Sequence, residues 1–440
     1  MKNKFILFLV LNAMFAHNSI FSQELMTTLI ANNPKSLFTN PALSPAKQSF
    51  LNLPIANFSA NFNNSFSFSD ITEKQNQNNY YVNTNELLRV LSDDNNFLAG
   101  KYSLDILHLG MAFNENDYLS FSFRNRFSAA GNLPHALAEL VLDNPYNKYK
   151  TFDISSTFKF LMWNEVGASY SHKINENWRV GGRLKYLSGM LNVESEKLLY
   201  TVEKSTDYYL LSSDLDIRSN SFLNNEIKLS WFNPGVGVDI GVKYQTTDKR
   251  FTTNASVSDL GVIFWSKSNS TNTITRNPNN KLRFDGFGDL EKTFNGAFDL
   301  TTLFDSIGTE FKETIGLETV KDFSYSSSLP ASFQASGTYA IDDNFSHNLS
   351  FGFAGTLLTS EKLHYAVSAG YYWLSKNKNW QLLTNYTYYG NSANGWGFGA
   401  AYNNKKFQIY VVADNIVSVF SPLNSKFIGF DLGICFFRIF

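Results

Sequence analysis

The feature that most constrains the fold of this 440-residue chain is an alternation of apolar and polar residues that recurs along most of its length. One example begins at Trp178, where Leu184 and Tyr186 alternate with Arg183 and Lys185. A period of two residues is typical of a β-strand with one apolar and one polar face. The chain is therefore expected to be built mainly from strands.

The alternation predicts fourteen strands. They lie at residues 50–67, 101–113, 117–128, 150–173, 178–193, 227–247, 250–265, 324–341, 345–357, 362–374, 379–389, 394–403, 405–418 and 425–440. Two of these segments, 101–113 and 250–265, change parity midway. An extra residue in one strand of a pair has that effect, so each segment is predicted to hold a β-bulge, the second near Asp259, Leu260 and Gly261.

The connections between the predicted strands alternate in length. Those after even-numbered strands are mostly short, for example residues 114–116 and 175–177, and those after odd-numbered strands include all the long ones: 68–100, 129–149, 194–226 and 266–323. Transmembrane barrels have an even number of antiparallel strands, short periplasmic turns and long extracellular loops. The fold class predicted is therefore all-β: a fourteen-stranded, antiparallel, up-and-down transmembrane barrel.

The long loops are predicted to carry short helices and one extension of the barrel wall. The candidate helices are Asn85–Leu91, Pro134–Leu142 and Thr301–Thr314, and segment 194–226 is predicted to extend its flanking strands as a hairpin. The tryptophans are predicted to lie at the two membrane interfaces, where the indole ring prefers to sit. These are Trp178, Trp373 and Trp380 on the turn side and Trp163, Trp231, Trp265 and Trp396 on the loop side.

Composition agrees with such a barrel and excludes other classes. Only 17% of the residues are charged while 16% are aromatic, and the formal net charge is −1. A balanced charge excludes a strongly basic nucleic-acid-binding protein. The single cysteine, Cys435, excludes an intrachain disulfide and a zinc site built from several thiolates.

The N-terminus has the pattern of a secretory signal. Lys2 and Lys4 precede an apolar stretch from Phe5 to Ala16 that is too short to span a bilayer, and cleavage is predicted before Gln23. The predicted organisation is a signal peptide at 1–22, an N-terminal lead or small plug at 23–49 and an outer-membrane barrel at 50–440. The final strand, which ends at Phe440, resembles the signal read by the barrel assembly machinery.

Charged residues on the polar strand faces are the candidate site residues. Facing lipid at mid-depth would cost about 2–4 kcal/mol each, so they are predicted to face the lumen. They are Arg124, Arg126, Arg179, Arg183, Lys185, Asp239, Lys243, Asp414 and Asp431. In one interpretation, Arg179, Arg183, Lys185 and Lys243 hold the anionic head of a ligand. In the other, these cations pair with Asp239, Asp414 and Asp431 and keep a packed barrel closed.

Motifs for covalent chemistry are missing from the sequence. It contains no metalloprotease pattern and no G-x-S-x-G elbow, and Gly235-Val236-Gly237 does not continue as a dinucleotide-binding fingerprint. We therefore predict no enzyme activity, no cofactor and no metal site. A barrel enzyme whose nucleophile and base come from distant strands is the third and last hypothesis.

Several stretches carry a resemblance to a known family. The N-terminal motif Asn40-Pro41-Ala42, with fourteen strands, resembles the FadL-type transporters of hydrophobic compounds and is similar to the PorV-like barrels of the type IX secretion system. Residues 181–189 (GGRLKYLSG) and 233–241 (NPGVGVDIG), with Ser258–Gly261 and Trp265, look like a FadL-related outer-membrane family of unknown function.

The resemblance implies a location and two functions. It implies the outer membrane of a diderm bacterium, with outer-membrane lipid and the assembly machinery as partners and no nucleic acid. The first function is that of a passive conduit or binding protein for a small hydrophobic ligand. The alternative is a structural or accessory barrel that docks envelope or type IX secretion partners through its long loops.

Overall fold

The computed structural model describes most of the chain. The described residues are 22–45, 49–52, 57–74, 80–91, 96–136, 150–205, 208–223, 226–227, 232–284, 309–359, 362–389 and 395–438. The predicted signal peptide, apart from Ser22, lies outside them, as does Trp231. No helix in these ranges is long and apolar enough to cross a membrane.

Fourteen strands form the wall of one closed barrel, so the predicted fold class is confirmed. They are β1 (Phe50–Asn52 and Asn57–Asn64), β2 (Phe97–Ala112), β3 (Asp117–Asn132), β4 (Phe158–Lys173), β5 (Trp178–Lys204), β6 (Asn233–Gln245), β7 (Phe251–Trp265), β8 (Tyr325–Ser328 and Ser332–Ala340), β9 (His347–Thr359), β10 (Lys362–Leu374), β11 (Trp380–Tyr389), β12 (Gly395–Asn403), β13 (Phe407–Ala413) and β14 (Phe427–Phe437).

The barrel closes because its last strand pairs with its first. Phe50 lies opposite Phe437, and Asn57 lies opposite Gly433, both in antiparallel register. Each wall strand is antiparallel to its neighbours, and closure leaves no open edge in the wall. We call the end with the short connections, such as 174–177 and 404–406, the turn end, and the opposite end the loop end.

Both predicted bulges are confirmed. The register between β2 and β3 shifts between Asp105 and Leu107, and that between β6 and β7 shifts between Val238 and Ile240, opposite Asp259. Asp259 has a positive φ of 61°, a conformation in which a bulge can place its extra residue. The bulges explain why the alternation changes parity within β2 and β7.

The outer surface of the barrel is an apolar belt. On β5, Leu184 and Tyr186 are exposed while Arg183 and Lys185, which alternate with them, are buried, and Val236 on β6 is exposed in the same way. An apolar exterior around a polar interior is the arrangement that a lipid bilayer requires of a barrel.

A charge on this belt is expected to be costly. Leu184, which is 69% exposed, lies near the middle of the wall, so Leu184→Arg should lower the free energy of unfolding in lipid by about 2–4 kcal/mol. Urea titration of the chain folded in liposomes measures the change. The control is Asn377→Arg in the turn 375–379, which should have little effect; equal effects at both positions would contradict a lipid-facing Leu184.

The wall continues beyond the membrane at the loop end. β5 pairs with Tyr209–Asn220 as the predicted hairpin, and the strands Lys150–Ser155, Ser270–Thr275, Leu282–Phe284 and Leu317–Lys321 join the same sheet. Two small hairpins join Thr72–Lys74 with Tyr80–Val82 and Phe222–Leu223 with Glu226–Ile227. Helix α1 (Ser22–Leu29) precedes the first wall strand. The helices at the loop end include α2 (Phe68–Ile71) and α3 (Thr84–Val90), with 3-10 turns at Lys267–Asn269 and Pro422–Asn424.

The predicted loop helices are confirmed where they can be compared. Helix α3 matches the prediction for Asn85–Leu91. Of the segment predicted at Thr301–Thr314, only residues 309–314 are described, and they belong to a helix at 309–315. Most of Pro134–Leu142 lies outside the described residues.

Two predictions about the wall are wrong. The segment 405–418 is a strand only to Ala413, and helix α4 (Ile416–Phe420) follows because the side chain of Asn415 accepts from Val417 N and caps the helix. Trp163 and Trp265 are buried on the inner side, where Trp265 Nε1 donates to Ser327 Oγ at 2.5 Å. A partner for its indole N–H inside the barrel explains the burial of Trp265. Trp163 is held differently: the guanidinium of Arg126 lies over its ring, 4.9 Å from the centroid. Trp178, Trp380 and Trp396 are exposed on the outer surface.

Candidate functional site in the barrel lumen

The N-terminal residues 22–45, which we call the plug segment, lie inside the barrel. Helix α1 (Ser22–Leu29) and the 3-10 turn Pro34–Phe38 are its regular elements. Gln381 Nε2 donates to Leu29 O at 2.7 Å, and Gln408 Nε2 donates to Ala31 O at 2.8 Å. Polar lumen-facing side chains of the wall thus satisfy carbonyls at the end of the helix, which would otherwise lack partners.

Residues Asn40, Pro41 and Ala42 anchor the plug segment near the turn end. Asn40 Oδ1 accepts from Ala42 N at 2.9 Å, which closes a tight turn, and Asn40 Nδ2 donates to Val242 O at 3.2 Å. The wall opposite has no room for side chains: a Cβ on Gly181 would lie 2.4 Å from the Pro41 carbonyl carbon. The motif and the glycine therefore fit each other as two backbones in close approach.

A cluster of buried charges crosses the lumen at mid-depth, and Glu165 on β4 is its centre. The Glu165 carboxylate lies 2.7 Å from Arg183, 3.0 Å from Arg126 and 3.6 Å from Arg124. Arg124 also pairs with Asp105 at 2.9 Å. Burial makes an unpaired charge very costly. The single carboxylate of Glu165 therefore stabilises three buried guanidinium groups at once.

The cluster continues on the opposite side through Asp259. Arg126 binds Asp259 with two parallel hydrogen bonds of 2.7 and 2.9 Å, the geometry that guanidinium and carboxylate groups favour. Lys185 Nζ lies 2.5 Å from Asp239 and 2.7 Å from Asp259. The bulge at Asp259 turns this carboxylate toward both cations.

The plug segment contributes to the same cluster. Lys35 Nζ donates to Asp431 Oδ1 at 2.8 Å, with both side chains buried. The ring of Phe38 stacks on His108 at 4.3 Å and lies under the Arg124 guanidinium at 3.8 Å. A salt bridge and a cation–π contact therefore join the plug segment to the wall.

The structure separates the nine predicted site residues into four groups. Five belong to the mid-depth cluster: Arg124, Arg126, Arg183, Lys185 and Asp239. Asp431 binds the plug segment. Arg179 and Lys243 lie together nearer the turn end, and Asp414 is buried toward the loop end beside Gly429.

Four members of the cluster are absent from the prediction. They are Lys35, Asp105, Glu165 and Asp259. Glu165 lies on the same inward face of β4 as Trp163. Because Trp163 was predicted to face the membrane interface, Glu165 was not recognised as a lumen residue. The bulges shift the parity of Asp105 and Asp259, and Lys35 lies outside any strand.

Charge is balanced within this group. Five cations (Lys35, Arg124, Arg126, Arg183 and Lys185) face five carboxylates (Asp105, Glu165, Asp239, Asp259 and Asp431). For Arg183 and Lys185, this geometry favours pairing within the lumen over capture of an anionic head. In the described part of the chain, no group of three or more His, Cys, Asp or Glu residues is placed to hold a metal.

Little open space is left beside the cluster. A cavity of about 50 Å³ is bordered by Lys35, Phe38, Arg126, Trp163 and Asp431, among others. That volume admits a few water molecules, whereas pockets for small ligands usually measure about 300–1,000 Å³. With the plug segment in place, this part of the lumen is closed to larger molecules.

Apart from the glutamines that bind its C-terminal end, helix α1 makes apolar contacts with the lumen wall. Met26 and Ile30 pack against Leu383, Ala401, Tyr410 and Val412. Leu25 packs in a neighbouring cluster with Ala354, Ala366, Tyr389 and Phe427. We call the part of the lumen bounded by these wall residues the apolar compartment; helix α1 fills it.

A fourteen-stranded barrel with an apolar exterior and a lumen closed by its own N-terminal segment has the architecture of an outer-membrane protein. The chain belongs to a family of unknown function, DUF5723, which matches residues 41–414. The predicted membership in a FadL-related family of unknown function agrees with this match.

Comparison with solved structures finds barrels of similar extent. A FadL homologue of Pseudomonas aeruginosa is 12% identical, with 96% of this chain and 97% of that chain covered and a TM-score of 0.42. The toluene transporter TbuX of Ralstonia pickettii is 10% identical, with 92% and 93% covered and a TM-score of 0.39. The CymD monoaromatic hydrocarbon channel is 8% identical, with 93% and 94% covered and a TM-score of 0.34. No curated protein matches the sequence.

Proposed function

We propose that this protein lies in the outer membrane of a diderm bacterium and binds and passes small hydrophobic molecules. The observation that carries the proposal is the apolar compartment, since Leu383, Ala401 and Val412 line the lumen where charges line it elsewhere. Apolar walls favour apolar ligands because they remove apolar surface from water.

In this proposal helix α1 occupies the place of the ligand. Leu25, Met26 and Ile30 present apolar side chains to the compartment. An alkane or an aromatic hydrocarbon would present apolar surface in the same place. A hydrophobic molecule that enters from the loop end would replace these contacts, and the helix would move aside. The salt bridge of Lys35 with Asp431 is formed six residues after the end of the helix and would keep the rest of the plug segment in place.

Two adjacent leucines provide a matched test. Leu383 is buried in the apolar compartment, whereas its neighbour Leu382 is 40% exposed on the outer surface. Leu383→Gln should lower the uptake of radiolabelled toluene and dodecane into outer-membrane vesicles about tenfold, while Leu382→Gln should leave uptake near the wild-type rate.

Heat-modifiable migration in gels checks that both glutamine variants fold. Equal uptake by the two variants would contradict the compartment as the route. Uptake by wild-type vesicles no higher than that of vesicles without the protein would contradict the proposed function itself.

A second candidate function is docking of envelope proteins. The sheet beyond the membrane favours it, because β5 extends to Lys204 and five further strand segments widen the loop end. Truncation of loops 194–226 and 266–323 should then abolish recovery of a stoichiometric partner, and unchanged recovery would count against docking.

A further inference from the structure

Three cations lie side by side across the barrel wall near the turn end. Lys173 on β4 is directly opposite Arg179 on β5, and Arg179 is directly opposite Lys243 on β6. Arg179 and Lys243 have the same parity as the buried Arg183 and Asp239, so both face the lumen. Side chains at directly opposite positions of an antiparallel pair have Cβ atoms about 4.5–5.5 Å apart.

Carboxylates close in sequence to this row are engaged with groups other than Arg179 and Lys243. Glu176 lies 2.6 Å from Lys173, and Asp248 accepts from Thr246 Oγ1 and from Arg250 N. Asp117 accepts from Tyr170 Oη and lies 2.7 Å from His172 on the outward face of β4. Each of these carboxylates therefore already has a partner of its own.

Arg179 and Lys243 are left without a carboxylate among the described residues. Arg179 donates to Ser171 Oγ at 3.1 Å, and the side-chain ammonium of Lys243 has no hydrogen bond or ion pair in that part of the chain. Like charges at directly opposite positions destabilise a sheet. The pair thus differs from the mid-depth cluster, in which every cation has an acidic partner.

Asn40 and Pro41 of the plug segment lie between this pair and the middle of the barrel. Gly181 and Gly241, two residues from Arg179 and Lys243 toward mid-depth, contact Pro41 and Asn40. The strands β5 and β6 reach the turn end within two residues of the pair, at Trp178 and Gln245. The two cations therefore lie between the plug segment and the turn end, which is the periplasmic side of an outer-membrane barrel.

We propose that Arg179 and Lys243 form an anion-binding site that takes a carboxylate or phosphate group entering from the turn end. A guanidinium offers parallel N–H donors to two oxygens of such a group, and the ammonium adds a point charge beside it. A bound anion would also remove the repulsion between the two cations. The site is independent of the hydrophobic route proposed above.

Thermal unfolding of the full mature chain in detergent, at constant ionic strength, tests the site. The probes are inorganic phosphate and octanoate, which distinguish a free phosphate from the carboxylate of an amphiphile. Either probe should raise the unfolding temperature of the wild type. Arg179→Gln and Lys243→Gln should raise the apparent dissociation constant at least tenfold, while Lys405→Gln, which alters an exposed lysine at the same end, should not.

A second readout separates binding from a purely structural role. Without either probe, Arg179→Gln and Lys243→Gln should unfold at a higher temperature than the wild type, because each removes one of two opposed like charges. The proposal is overturned if neither probe stabilises the wild type, if both glutamine variants are stabilised as strongly as the wild type, or if they unfold at a lower temperature without probe.

Discussion

Glu165→Gln is expected to lower the free energy of unfolding by about 3–5 kcal/mol, since it leaves buried cations without their shared carboxylate. The side chain is fully buried and lies within 3.6 Å of Arg124, Arg126 and Arg183. Glutamine keeps the shape of glutamate, so the loss comes from charge and not from packing. Urea-dependent unfolding in lipid, followed by tryptophan fluorescence, measures the change.

The matched control is Glu318→Gln at the loop end. Glu318 pairs with Arg276 at 2.6 Å, but both side chains are about half exposed, so water compensates for the loss and little change is expected. A small effect at both positions would mean that the cations near Glu165 are hydrated and that the mid-depth cluster is not the closed network described above.

Lys35→Glu is expected to release the plug segment from the wall. The substitution puts a second carboxylate beside the buried Asp431, at a cost of about 3–5 kcal/mol, and leaving the lumen relieves that repulsion. Limited proteolysis of the folded barrel, followed by mass spectrometry, should then find cleavage between residues 25 and 45 that the wild type resists.

The charge-swapped double variant is the control for this experiment. Lys35→Glu combined with Asp431→Lys restores an ion pair at the same place and should recover most of the protection. Protection that is unchanged in the single variant would contradict the role of Lys35. Cleavage in the double variant as fast as in the single variant would show that the pair alone does not decide the position of the plug segment.

The wall of the barrel could be predicted because it depends on local pattern. Alternation and the parity of connection lengths predict fourteen strands, and a change of parity predicts a bulge wherever an extra residue enters, as at Asp259. Helix α4 could not be predicted in this way, because Ile416–Phe420 has apolar residues that fit either a strand or a short helix.

The candidate site depends on long-range register, which the sequence pattern does not contain. Arg126 and Asp259 are 133 residues apart and lie four strands apart in the wall, so they meet only because the wall curves into a barrel. Parity predicted that Arg183 and Lys185 face inward, but it does not say which acids lie across the lumen. The plug segment has no alternation, so Lys35 and Phe38 gave no signal of their contacts with Asp431 and His108.

Single-channel recording in planar bilayers tests the closed lumen most directly. The chain beginning at Gln23 should insert without stepwise conductance, because residues 25–45 and the charge cluster fill the barrel. A variant that lacks residues 23–45 but retains all fourteen strands should give discrete conductance steps. Steps of equal size from both chains would contradict a lumen closed by its own N-terminal segment.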